Sequence, residues 1–254
     1  MDFATIIGLT VALATIGGAF IAEGGHIEAV FLVAPILIVL GGTLGATTVT
    51  TSIGTVRRIP TYLRLAFLGR SRDLMATINA IVKLSERARR EGILGLEVQL
   101  KSLPDPFFRK AVQLVIDGTE ATVLREILET EIAYAEERHK RGIVFFQKAG
   151  GFSPTMGILG TVLALIHTLS NTSDASQMAG AIASAFIATL WGVGLANLFF
   201  LPLSDKLRLR HDEEVAFLEL IMEGVIALQA GENPRSIRTR LLSFIAPDRR
   251  HGEV

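Results

Sequence analysis

The sequence predicts an all-α integral membrane protein with four transmembrane helices and a helical cytoplasmic domain between the second and third spans. The first observation is the charge distribution, because all 25 lysines and arginines lie in residues 57–148 and 206–250. The second is composition, since half of the residues are hydrophobic and the mean hydropathy is +0.46. Positive charge collects on the cytoplasmic side of a bilayer. Each cation-free stretch is therefore predicted to be a membrane hairpin, and each basic block is predicted to be cytoplasmic.

Four segments contain the roughly 20 apolar residues that a hydrocarbon core requires. They are residues 3–22, 29–49, 149–170 and 179–203. The connections within the two pairs, residues 23–28 and 171–178, are short, contain an acid and lack lysine and arginine. Such connections are typical of extracytoplasmic turns. Both termini are therefore predicted to be cytoplasmic.

These spans divide the chain into four predicted parts. They are a transmembrane hairpin (1–54), a cytoplasmic domain (55–148), a second transmembrane hairpin (149–205) and C-terminal cytoplasmic helices (206–254). The N-terminus lacks the basic region and the small-residue cleavage site of a secretory signal. The first span is therefore predicted to remain in the mature protein.

The cytoplasmic parts have apolar side chains at helical spacing among charged ones. Residues 74–90, 123–141 and 206–228 show this pattern, which predicts amphipathic helices. Gly142 suits a C-terminal cap of the second helix, with the alternative that this helix continues into the third span. Pro234 is predicted to begin a last short helix that ends near Pro247. No alternating pattern predicts a strand.

Composition excludes several classes of function. The formal net charge is +0, which argues against nucleic acid as a partner because phosphate binding requires a basic surplus. The chain contains no cysteine, which excludes disulfides, iron–sulfur clusters and thiol catalysis. The sequence shows no nucleophile–base pair and no cluster of metal ligands. We therefore predict no enzyme activity, no metal and no cofactor.

The predicted spans contain no Asp, Glu, Lys or Arg, and their single ionisable side chain is His167. A protein that conducts ions normally needs an ionisable group within the membrane. The chain therefore cannot form a complete ion pathway alone unless His167 serves. His167 is better interpreted as an interfacial residue, because it lies near the outer end of the third span.

Two threonines lie at similar predicted depth on consecutive spans. At the rise of an α-helix, Thr161 is about 20 Å beyond Lys148 and Thr189 is about 25 Å beyond Lys206. A lone threonine in a membrane helix usually bonds to its own backbone. The shared depth favours the interpretation that both hydroxyls line one polar path.

Two prolines interrupt the hydrogen bonding of the same spans. Pro154 removes the bond to the carbonyl of Gly150, and Pro202 removes the bond to the carbonyl of Leu198. The freed carbonyls are tolerated at membrane depth where neighbours satisfy them or where they line a cavity. A simple packing kink is the alternative interpretation of each proline.

Together these motifs resemble the MotA/PomA family of flagellar motor stator proteins, within the MotA/TolQ/ExbB proton channel superfamily. Residues 153–166 resemble the signature of that family's third span, and residues 181–203 resemble its fourth span. Residues 88–97 resemble the charged element by which the family engages the rotor. Residues 41–43, Gly-Gly-Thr, also fit. The resemblance extends over nearly the whole chain.

The resemblance implies a subunit of a bacterial inner-membrane machine that converts proton or sodium motive force into torque. Family members form a pentamer around a dimer of a MotB/PomB-type single-span subunit, whose membrane aspartate carries the ion. Their cytoplasmic domains act on the switch protein FliG. By this resemblance Arg89 and Glu97 are rotor-facing charges, and Arg90 and Glu131 are further candidates. In the same way, the ion pathway includes Thr161, Thr189, Pro154 and Pro202.

The rival interpretations differ in their membrane topology. An ExbB/TolQ-like energiser of an envelope process would share the third and fourth spans but would have a single span before the cytoplasmic domain. A solute carrier would more often show internal repeats with broken midplane helices, which this sequence lacks. The residues leave the coupling ion open, because a threonine at position 161 suits sodium and occurs with protons as well.

Overall fold

The computed structural model describes residues 3–69, 72–171 and 175–249, and these residues contain helices and no strand. The all-α prediction is therefore confirmed. The α-helices are α1 (Phe3–Ala22), α2 (Val33–Val49), α3 (Ile53–Arg57), α4 (Ile59–Leu68), α5 (Leu74–Glu91), α6 (Glu97–Leu100), α7 (Pro106–Ile116), α8 (Ala121–Asn171), α9 (Ala175–Leu195), α10 (Leu201–Gln229) and α11 (Pro234–Leu241). The 3-10 helices are Ile27–Val30, Ile93–Leu96, Leu242–Phe244 and Pro247–Arg249, and a π-helix covers Ala196–Phe200.

Three segments of the described residues are long and apolar enough to cross a membrane. They are Thr5–Ala22, Ala121–Ser170 and Met178–Gln229. α2 is also apolar, but its 17 residues place it at the lower end of the roughly 17–25 residues that spanning helices use. Among the described residues, length and composition thus identify three candidate spans and two shorter apolar helices, Val33–Val49 and Ile59–Leu68.

The second predicted span begins earlier than its helix. The prediction was residues 29–49, whereas α2 begins at Val33 and is preceded by the 3-10 helix Ile27–Val30. The reason is Pro35, which lacks an N–H group and is tolerated in the first turn of a helix. The end of the helix at Val49 agrees with the prediction.

Gly142 does not cap a helix, so that prediction was wrong and its stated alternative is correct. α8 continues through Gly142 and through Pro154 to Asn171. A Cβ atom at Gly142 would lie 2.8 Å from the Tyr62 ring. The glycine therefore permits close packing of α8 on α4, and the predicted third span is the C-terminal part of α8.

The fourth predicted span changes helix type near its end. α9 leads into the π-helix Ala196–Phe200, and α10 follows from Leu201. Pro202 cannot donate to the carbonyl of Leu198, and the helix is widened at this point. α9 begins at Ala175, inside the predicted connection 171–178, of which residues 172–174 lie outside the described residues.

The chain divides into two compact units. The first contains Met1–Arg70 and His139–Arg210, and the second contains Ser71–Arg138 and His211–Val254. Residues 55–70 and 139–148, predicted as cytoplasmic, belong to the first unit because their side chains share its core. The buried residues of that core are Tyr62, Ala66, Ile143, Phe145, Phe146, Ala149, Phe200, Leu203 and Leu207.

The second unit is a helical domain with its own core. α5, α7, α11, the first turns of α8 and the last turns of α10 contribute to it. Side-chain caps fix the starts of the shorter helices: Asp73 accepts from the amide of Ala76, and Asp105 accepts from those of Phe107 and Phe108. Completely buried core residues include Ile78, Ile81, Leu96, Leu124, Leu128, Leu220, Ile221 and Ile237.

Candidate functional site

The hydroxyl groups of Thr161 on α8 and Thr189 on α9 are in contact. Their Oγ1 atoms are 2.7 Å apart. Thr161 Oγ1 also lies 3.0 Å from the carbonyl oxygens of both Gly157 and Ala185. Each threonine is half-buried. The structure thus brings together the two hydroxyls that the sequence placed at one depth.

The direction of the hydrogen bond between the two hydroxyls follows from these contacts. The two carbonyl oxygens only accept, and their contacts at 3.0 Å with Thr161 Oγ1 are favourable only if Thr161 directs its single proton toward them. Thr161 therefore accepts from Thr189. The Thr189 oxygen then retains its lone pairs for an incoming donor or cation.

Close packing of α8 against α9 holds the threonine pair in place. The buried hydroxyl of Ser153 donates to the carbonyl of Gly192 at 2.8 Å. A Cβ atom at Gly157 would lie 2.9 Å from the Ala188 carbonyl oxygen, and one at Gly192 would lie 2.8 Å from the Ser153 carbonyl oxygen. Glycine at these two positions lets the two backbones meet. Sequence reasoning included Ser153 in the motif but did not identify it as a site residue.

Pro154 and Pro202 do not lie beside the threonine pair. Pro154 directly follows Ser153 and precedes Thr161 by about two helical turns. Pro202 follows Thr189 by more than three turns, directly beyond the π-helix. Each proline therefore affects the shape of a spanning helix at a distance from the hydroxyls.

The candidate rotor charges lie on an exposed turn of the second unit. Arg89 and Arg90 are in the last turn of α5, and Glu97 is the first residue of α6. All three side chains are exposed. The ion pairs found among the described residues do not include any of them. These charges are therefore available to a partner.

Gly92 makes the turn between these charges possible. It ends α5 with a φ of +77°, a conformation that favours glycine because it has no Cβ atom. The 3-10 helix Ile93–Leu96 follows, and its last residue, Leu96, is completely buried. Leu96 thereby anchors the turn to the core of the second unit.

Glu131 has a different environment from the other candidate charges. Its carboxylate lies 2.6 Å from the ammonium of Lys110. This pair connects α8 with α7. Glu131 therefore already has a partner within the chain, in contrast to Arg89 and Glu97.

Exposed apolar side chains accompany the rotor charges, and sequence reasoning missed them. Leu94 and Val98 are each 73% exposed and Ile93 is 36% exposed. We refer to Ile93, Leu94 and Val98 as the apolar ledge. The sequence did carry a signal, because residues 93–98 hold more apolar side chains than this short segment could bury.

The remaining ionisable side chains do not form a second chemical centre. Among the residues that the structure describes, no three His, Asp or Glu side chains are grouped so that they could hold a metal ion. His167 is exposed on the last turns of α8. The polar groups that the structure describes around the threonine pair are hydroxyls and carbonyls, which bind but do not supply an acid.

Comparison with known proteins identifies the family. Residues 99–220 match the MotA/TolQ/ExbB proton channel family, and residues 6–92 match the motility protein A N-terminal region. Motility protein A of Borreliella burgdorferi is 35% identical over 249 residues, 97% of this chain and 95% of that protein. Chemotaxis protein PomA of Vibrio alginolyticus is 35% identical over 254 residues, 100% of this chain and 99% of that protein.

A solved structure of C. jejuni MotAB has the same fold. It matches with a TM-score of 0.92 and 29% sequence identity, over 98% of this chain and 97% of that chain. Stator subunits are motor components that conduct ions and are not enzymes. The chain therefore belongs to the MotA/PomA family of flagellar motor stator proteins.

Proposed function

We propose that this stator subunit crosses the bacterial inner membrane four times, with both termini and residues 55–148 in the cytoplasm. The cation-free stretches 1–56 and 149–205 support this topology. α1, α2, the end of α8 and α9 supply the four spans. The match of residues 6–92 to the motility protein A N-terminal region favours this arrangement over that of an ExbB/TolQ-like energiser.

The ion pathway that we propose includes the Thr161–Thr189 pair and an acid from another subunit. The single observation that supports it most is the 2.7 Å contact between the two hydroxyls. The Thr189 oxygen can accept from a protonated carboxyl group or contribute to the coordination of sodium. The predicted spans contain no carboxylate, so the acid belongs to a MotB/PomB-type partner. Pro154 and Pro202 shape the helices of this pathway.

The assembly that we propose is a homopentamer around a dimer of the partner subunit. The similarity to a MotAB structure supports a partner of the MotB type. The glycines at the α8–α9 contact support a tightly packed inner wall, because they allow helices to approach closely in lipid.

The surface that acts on FliG is formed by the turn after α5. Arg89, Arg90 and Glu97 supply charges of both signs, and Leu94 and Val98 supply apolar area beside them. A patch of this composition is typical of protein interfaces, with charges that steer association and apolar side chains that contribute affinity. Glu131 would join this surface if its pair with Lys110 opened.

Deleting the gene tests the proposed function. The expected mutant carries flagella but does not swim, and the wild-type gene restores swimming. A mutant without flagella, or one that swims normally, would contradict the proposal. Swimming speed with and without sodium, and with a protonophore, then identifies the coupling ion.

A further inference from the structure

A cavity of about 460 Å³ lies within the first unit, away from the threonine pair. α1 contributes Gly8 and Ala12 to its wall, and the segment around the π-helix contributes Leu198 and Pro202. Gly8 and Pro202 are exposed, so the cavity opens at the surface of the unit. Its volume lies within the roughly 300–1,000 Å³ of typical ligand sites.

Most residues that line the cavity are apolar, and its polar members are Thr5, Asn197, Asp205 and Lys206. The two charged residues, Asp205 and Lys206, lie directly where the cation-free stretch 149–205 finishes. Leu198 precedes Lys206 by eight residues, which places it roughly 12 Å deeper in the predicted membrane at the rise of an α-helix. A mostly apolar cavity with charged residues at the predicted membrane boundary has the polarity of a phospholipid.

Asp205 and Lys206 determine which phospholipid headgroup suits the cavity. The Lys206 ammonium carries three donors, so it can contact a phosphate in addition to its interaction within the chain. The exposed Asp205 carboxylate only accepts and suits a group with N–H donors. We propose that this cavity binds one acyl chain of a phospholipid whose headgroup carries a primary ammonium, with the phosphate on Lys206 and the ammonium on Asp205. The proposal depends on the membrane location of the chain and not on torque generation.

Native mass spectrometry of the full-length chain, purified with its single-span partner, tests the proposal. The probes are phosphatidylethanolamine, phosphatidylcholine and phosphatidylglycerol with identical acyl chains. Phosphatidylethanolamine should be retained about tenfold better than phosphatidylcholine, whose quaternary ammonium lacks N–H donors. Phosphatidylglycerol should also be retained less than phosphatidylethanolamine, because its headgroup has no cation that could bind Asp205.

Two matched glycine variants locate the bound chain. Gly8 and Gly18 are both exposed helical residues of α1 with open space around an added Cβ atom, but only Gly8 lines the cavity. Gly8→Phe should fill the cavity and reduce lipid retention about tenfold, whereas Gly18→Phe should not. Asp205→Asn, a surface change that does not disturb packing, should abolish the preference for phosphatidylethanolamine over phosphatidylcholine.

Three results would overturn the proposal. The first is equal retention of the three lipids by the unchanged protein. The second is equal retention by the Gly8→Phe and Gly18→Phe variants. The third is the absence of bound lipid from the unchanged protein, which would indicate that a second copy of the chain covers the cavity. None of these three results depends on whether the restored gene allows the deletion strain to swim. The proposed stator function is therefore tested separately from lipid binding.

Discussion

At the residue scale, the proposed ion pathway depends on which hydroxyl of the threonine pair has free lone pairs. Thr161 lies within 3.0 Å of two carbonyl oxygens, so its proton is committed to them. Thr189 lies 2.7 Å from Thr161 and donates to it. In the proposed pathway, the oxygen of Thr189 is therefore the acceptor for an ion or a protonated acid.

Replacing Thr189 tests this assignment. Thr189→Val keeps the shape of the side chain and removes the hydroxyl, so ion flow should decrease roughly two- to tenfold, the equivalent of one hydrogen bond. Thr189→Ser should retain most of the flow. The measurement is swimming speed at reduced ion-motive force.

Thr168→Val provides the control for this experiment. Thr168 is a buried threonine of α8 whose hydroxyl bonds the Ala164 carbonyl at 2.8 Å. Its removal should leave swimming speed unchanged. Wild-type speed for Thr189→Val would show that this hydroxyl only contributes to packing.

Glycine variants test the close packing of α8 and α9. An added methyl group at Gly157 would lie 2.9 Å from the carbonyl oxygen of Ala188. Gly157→Ala should therefore destabilise the protein by about 1–3 kcal/mol, as overpacking usually does. Gly151→Ala is the control, because Gly151 is exposed on the same helix with open space around it. Equal thermal unfolding midpoints for the two variants would contradict the packing described here.

The sequence alone predicted the depths of the two threonines but not the hydrogen bonds of the site. The depths of Thr161 and Thr189 could be predicted because helix rise is fixed. The direction of their hydrogen bond could not, because it depends on Ala185, a residue 24 positions from Thr161. The role of Ser153 was missed for the same reason, since its partner is the Gly192 carbonyl on another helix.

At the element scale, the turn after α5 combines charge with exposed apolar area. Gly92 and the buried Leu96 fix the turn, and this leaves Arg89, Glu97, Leu94 and Val98 exposed. Charges at the rim of an interface chiefly affect the rate of association. Apolar side chains buried on binding contribute affinity.

The charges can be tested by neutralising them together. Arg89→Gln with Glu97→Gln should reduce torque in tethered cells, because the rotor loses its electrostatic partner, while membrane insertion remains normal. Lys83→Gln is the matched control, an exposed lysine on the same helix α5. Normal torque in the double variant would remove Arg89 and Glu97 from the mechanism.

The apolar ledge can be tested by its different response to salt. Leu94→Ser and Val98→Ser should each weaken binding of the purified complex to FliG about tenfold. That loss should persist at high salt, whereas the loss from the charge variants should shrink as ions screen the charges. Val123→Ser, 42% exposed elsewhere in the second unit, should have no effect. Unchanged binding by both ledge variants would confine the rotor contact to charged residues.

Local sequence patterns predicted most of the helices. They failed where a helix boundary depends on packing against residues that are distant in sequence. The prediction of a helix over residues 74–90 is confirmed by α5, whose apolar spacing is regular and whose start is capped by Asp73. The prediction at Gly142 was wrong because Tyr62, distant in sequence, requires a glycine there. The π-helix Ala196–Phe200 was not predicted, although Pro202 was recognised as a site of lost hydrogen bonding.

At the scale of the whole molecule, the distribution of charge supports the proposal that the chain conducts ions only together with a partner. Its 25 basic residues are confined to two blocks, and its predicted spans contain no Asp, Glu, Lys or Arg. The hydroxyls of Thr161 and Thr189 can bind an ion or an acid, but they do not ionise near neutral pH. We therefore propose that the ion carrier comes from the single-span subunit.

Ion flux into liposomes tests this central claim most directly. The purified chain alone, and the same chain assembled with its single-span partner, are reconstituted at equal protein density. We expect flux above the background of empty liposomes for the assembled complex only, and its loss when the membrane aspartate of the partner is replaced by asparagine. Flux through the chain alone, at the rate of the complex, would contradict the claim.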